Sequence, residues 1–94
     1  MDIEAARHVI RDDRAPYTAH CTAAMVLCSS EQTTYGDLVA CLRRNPYCAE
    51  QASIALHLRT GRDRRPGVPQ VRSFITDPED WIRYLQERGL SEPE

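Results

Sequence analysis

Ninety-four residues at 10.7 kDa provide for one hydrophobic core and argue against a two-domain enzyme. Fourteen acidic residues against twelve basic ones, all arginine, leave a net charge of -2, which excludes a uniformly basic nucleic-acid protein. The hydrophobic fraction of 41% and charged fraction of 28% are those of a folded globule, and a radius of gyration of roughly 12 Å leaves no space for a large cofactor cleft.

In chain order, Ile3, Ala6, Val9 and Ile10 recur at three- and four-residue spacing, which predicts a helix over 2–12 with Asp2 able to cap its start. Charges and Pro16 then interrupt the pattern, and proline pushes its predecessor out of helical geometry. A second helix is expected over 18–30, capped by Thr18 and buried all round, because nearly every position from His20 to Cys28 is apolar or small. Thr34 with Asp37 three residues on approximates a capping box for a third helix over 35–44 that buries Leu38, Cys41 and Leu42.

Asn45-Pro46 reads as an N-cap followed by proline at the first helical position, so a fourth helix is expected over 46–60, with an apolar set from Ala49 through Ala52, Ile54 and Ala55 to Leu58 and a stop at Gly61. Residues 62–70 carry two prolines and a glycine and read as a loop, with 71–75 extended. Asp77-Pro78-Glu79-Asp80 opens a fifth helix over 77–88, favoured by acids in its first turn, with Trp81, Ile82 and Leu85 on its apolar face. Gly89 ends it, and Leu90 is placed to close a Schellman motif. The fold expected is therefore all-α: one domain over 1–94, a bundle of about five helices with a frayed tail at 91–94.

Asp2 and Glu4 stand where a secretory leader would carry a basic cluster, and the longest apolar stretch, Ala23 to Cys28, is six residues long, against roughly 20 for a membrane span. The expectation is a cytoplasmic protein without a membrane partner. The cysteines at 21, 28, 41 and 48 are spaced seven, thirteen and seven apart. That symmetry would permit nested bridges, Cys21 to Cys48 and Cys28 to Cys41, as two rungs between antiparallel helices. Structural disulfides are rare in a reducing cytoplasm, so free, buried thiols are expected. Zinc sites bring two ligands within a few residues of each other, and no such pair occurs, so no metal or other cofactor is expected. His20 and His57 sit in apolar surroundings as boundary histidines, and no nucleophile elbow, phosphate loop or metalloprotease motif appears. No catalytic residues, and hence no enzyme, are expected.

Charge distribution is more informative. Residues 1–42 sum to -3, residues 43–72 to +5 and residues 73–94 to -4. Arg43 and Arg44 end one helix, and Arg59, Arg62, Arg64 and Arg65 cluster at the end of the next and beyond it. The helix dipole accounts for Arg43, Arg44 and Arg59; it does not account for Arg62, Arg64 and Arg65, which follow Gly61. Two function classes follow. The first is a non-enzymatic interaction module, an adaptor or assembly domain that binds a protein partner or itself through acidic and basic surfaces, with these six arginines as the contact residues. The second is a helix-turn-helix DNA binder built on helices 35–44 and 46–60, with the same arginines on phosphates. Against it stand a turn shorter than three residues, a second helix that opens on Pro46, Tyr47 and Cys48, and the negative total charge.

Overall fold

The computed structural model describes residues 1–62 and 75–90. Five helices are present: α1 (Ile3–Arg11), α2 (Tyr17–Ser29), α3 (Tyr35–Leu42), α4 (Pro46–Thr60) and α5 (Pro78–Glu87), with no strand among the described residues. The fold is the small all-α bundle expected. Each start except that of α2 is held by a side chain accepting an orphan N–H group: Asp2 from Ala5, Thr34 from Asp37, Asn45 from Cys48 and Asp77 from Glu79. Thr34 and Asp37 complete the reciprocal capping box, the aspartate carboxylate accepting from the Thr34 N–H at 3.2 Å.

Gly61 and Gly89 stop α4 and α5 with φ of 68° and 67°, the left-handed region that glycine enters without a steric penalty. At Gly89 both Schellman bonds form: its N–H donates to Gln86 and the Leu90 N–H to Leu85. The stretch expected as extended, 71–75, lies outside the described residues except for Ile75, as does the tail 91–94.

Four local expectations are corrected. α2 begins at Tyr17, one residue before Thr18, because Pro16 stands in extended geometry and its carbonyl already accepts the His20 N–H. α2 is also not buried all round: Thr18, Thr22, Met25 and Ser29 follow helical spacing along a solvent face, and Met25 is 55% exposed. On α4 the core stripe is Cys48, Ala49, Ala52, Ser53, Ala55 and Leu56, which turns Leu58 outward to 64% exposure. α3 stops at Leu42, since the N–H groups of Arg43 and Arg44 bond three residues back and tighten the last turn.

One core joins all five helices, with Ala6, Ile10, Leu27, Leu38, Cys41, Leu56 and Trp81 fully buried in it. Seven of its buried positions are alanines or cysteines on α2, α3 and α4, small side chains that let helix axes approach closely. The N-terminal ends of α2 and α4 lie together, Cys48 Sγ donating to the His20 carbonyl at 3.4 Å. Their C-terminal ends do too, where Arg59 donates to the Ser30 carbonyl at 2.6 Å. The two helices therefore run parallel, with α3 returning between them, so a rung from Cys21 to Cys48 would join parallel helices, whereas one from Cys28 to Cys41 would join the antiparallel α2 and α3. α5 closes the bundle through Trp81, whose indole Nε1–H donates to the Ile75 carbonyl at 2.6 Å. No described helix is long and apolar enough to cross a membrane.

Candidate functional site

Each described arginine of the expected contact set has an acid or a carbonyl of this chain as its partner. Arg59 donates to the carbonyls of Ser30 and Thr33, satisfying acceptors after the end of α2, and lies 6.0 Å from the Tyr35 ring centre. Arg62 pairs with Asp80 at 2.7 Å and stacks on Trp81 and Tyr84, its guanidinium carbon 4.7 and 4.4 Å from the ring centres. Its side chain is only 17% exposed. Arg44 donates to the Ile10 carbonyl at 2.6 Å and pairs with Asp13 at 2.7 Å. Arg43 pairs with Glu79 at 3.0 Å. Arg64 and Arg65 lie outside the described residues.

The charged segments of the sequence thus meet one another inside the fold: arginines of the middle segment reach back to Asp13 and forward to Glu79 and Asp80. Arg43 and Arg44 nevertheless differ from Arg59 and Arg62 in what they hold. Glu79 and Asp13 are 69% and 87% exposed, and ion pairs to exposed carboxylates are worth only about 0–1 kcal/mol.

The residue that sequence reading undervalued is Asp37. Its side chain is 3% exposed and accepts from Arg7 at 2.8 Å and Arg11 at 2.9 Å, in addition to Thr34. Burial pushes the carboxyl upward, but the hydrogen bonds from Arg7, Arg11 and Thr34 outweigh it and hold it below the ordinary carboxylate range. Asp37 was visible as a capping-box member; its second task needs α1 beside α3, which no local spacing encodes.

A cleft of about 480 Å³ opens beside this cluster, between α3, α5 and the end of α1. Val39, Ala40, Ile82 and Leu85 supply apolar lining, and Arg11, Arg43 and Arg44 contribute the positive charge, with Asp13 the one acid among the described lining residues. Ile82 is half-buried in it, which is why the apolar face expected for α5 is only partly in the core.

All four cysteines are free thiols, Cys41 and Cys48 buried and Cys21 and Cys28 half-buried. Cys28 stands beside Cys41, and Cys21 beside Cys48, whose Sγ donates to the His20 carbonyl. His20 is buried against the Asp12 carbonyl at 2.8 Å, and His57 packs edge-on to Trp81 at 5.0 Å between ring centres. Among the described residues no group of three or more histidine, cysteine or acidic side chains is arranged to hold a metal ion. Comparison with family models, with curated proteins and with solved structures finds no match to this chain.

Proposed function

We propose that this chain is a non-enzymatic, cytoplasmic interaction module, an adaptor or assembly domain, and that it takes an acidic amphipathic segment of a protein partner into the cleft between α3 and α5. The observation that carries this reading is the composition of the cleft, apolar along Val39, Ala40, Ile82 and Leu85 and rimmed by Arg11, Arg43 and Arg44. An apolar anchor would replace water over the aliphatic lining, and carboxylates flanking it would find guanidinium groups. Arg43 is the best placed of them. It is 50% exposed, and a partner carboxylate can take the place of Glu79 at little energetic cost. Arg59 and Arg62 serve this reading indirectly, by fixing α4 and α5 as the walls of the bundle.

The DNA-binding alternative is supported less well. The first turn of α4 directs Cys48 and Ala49 into the core and offers Glu50 to solvent, where a recognition helix presents polar donors to base edges.

Selection from a displayed library of helical peptides tests the proposal. Enrichment of peptides with Asp or Glu flanking a Leu, Phe or Trp anchor is expected, with binding at least about 10-fold weaker to Arg43→Glu and to Val39→Glu proteins. Peptides enriched without acids, or bound equally by both variants, would refute it. A shift of random duplex DNA at about 100 mM salt that weakens steeply with added salt would favour the alternative.

A further inference from the structure

The four thiols are not scattered through the core. Cys21 and Cys28 stand two turns apart on α2 and pack against the core, with Cys48, whose Sγ is 3.4 Å from the carbonyl of the preceding His20, beside Cys21 and with Cys41 beside Cys28. The partner assignment is nested: the inner pair is thirteen residues apart and the outer pair encloses it. Each pair joins one half-buried thiol to one buried thiol. That division suits thiol–disulfide exchange, in which an accessible sulfur takes the first attack and a shielded neighbour resolves the mixed disulfide.

We propose that the two pairs are sites of reversible disulfide formation, Cys28 with Cys41 and Cys21 with Cys48, that bolt α2 to α3 and to α4 when a low-molecular-weight disulfide such as oxidised glutathione accumulates. The inference rests on the cysteine geometry and stands apart from the cleft. Intracellular disulfides of this kind are transient and respond to oxidants.

At the inner pair, Cys28 gives its proton to solvent and attacks one sulfur of the small disulfide, whose S–S bond breaks and releases one thiolate. The Cys41 sulfur then attacks the Cys28 sulfur of the mixed disulfide. A second small thiol departs with the Cys41 proton. Two electrons pass from the protein pair to the small disulfide, one protein S–S bond forms, and two small thiols leave. The same sequence with Cys21 attacking and Cys48 resolving closes the outer pair.

The local electrostatics agree with these roles. The adjacent Cys41 thiol, aided by the charge of Arg59, lowers the Cys28 thiol despite its partial burial. The neighbouring Cys28 and burial both keep Cys41 protonated. At the outer pair burial pushes Cys48 up to about 11, which leaves the half-buried Cys21 as the attacking sulfur.

The test equilibrates the full chain in glutathione buffers from fully reduced to mostly oxidised, then traps free thiols by alkylation. Intact-mass measurement of the oxidised monomer should show the loss of four hydrogen atoms and no alkylation. Non-reduced peptide maps should contain the links Cys21–Cys48 and Cys28–Cys41. The melting temperature should rise by more than about 10 °C and fall back on reduction, since closing the inner and outer loops restricts the unfolded chain. Cys28→Ser protein should keep the outer link and leave Cys41 alkylated. Thiols that stay free or carry glutathione at the oxidised end, closure of one pair alone, links between Cys21 and Cys28 or between chains, or an unchanged melting temperature would each overturn the proposal.

Discussion

Replacing Asp37 by asparagine removes a charge from the fold while keeping the shape of the side chain. The carboxylate is shared by Arg7 and Arg11 and closes the capping box at the start of α3. Loss of one partner from a buried ion pair costs about 3–5 kcal/mol. The two guanidinium groups are 30% and 40% exposed and rehydrate when released, which returns part of that cost. The remaining acceptor oxygen of asparagine can still serve the Thr34 N–H, so the capping contribution of about 1 kcal/mol is only partly lost. A destabilisation of about 3 kcal/mol results, equivalent to a fall in melting temperature of roughly 15 °C for a domain of this size. Urea unfolding followed by circular dichroism measures it.

The pH dependence gives a second reading of the same group. Because Asp37 has a depressed pKa in the folded state, its contribution is fully present above the unfolded carboxyl value near 3.8. It is lost as pH falls through the lower folded value, where both states bind the proton. The stability difference between wild type and Asp37→Asn should therefore hold steady from neutral pH to about pH 5 and narrow below about pH 4. A difference under about 1 kcal/mol at neutral pH, or one that does not change on acidification, would refute the assignment of Asp37 as the charged link between α1 and α3.

Two further substitutions probe how α5 is seated. Trp81 is fully buried, so Trp81→Ala should cost about 3–5 kcal/mol in urea unfolding; a loss under about 1 kcal/mol would place the indole outside the core. Arg62→Lys keeps the charge toward Asp80 but gives up the planar stack on Trp81 and Tyr84, and a loss of about 1–2 kcal/mol is expected. An unchanged unfolding midpoint would show that the ion pair alone holds the residue.

Helix number and type were legible because caps and stops are local: Thr34 with Asp37, Asn45-Pro46, Gly61, Asp77-Pro78 and Gly89 each act within one turn. The α2 start was misread because a proline in extended geometry ends a loop as well as a hydroxyl cap does. The outward turn of Leu58 was missed since Leu56 and Leu58 compete for one stripe, and only the neighbouring helices decide between them. That the four thiols are free agrees with the sequence expectation; which helices stand beside one another is set by packing and is not encoded in the seven-residue spacing. Arginine partners were not legible, because each contact crosses between helices far apart in sequence, as from Arg44 to Ile10 or Arg62 to Asp80.

The carbonyl of Ile75 accepts from the Ser53 hydroxyl on α4 at 2.7 Å as well as from the Trp81 indole. One backbone oxygen therefore clips the chain just ahead of α5 to the neighbouring helix, and the Arg62 stack on Trp81 and Tyr84 holds the helix itself. The chain's one tryptophan thus sits between a backbone acceptor and a guanidinium, where its indole fluorescence reports whether α5 is seated on the bundle.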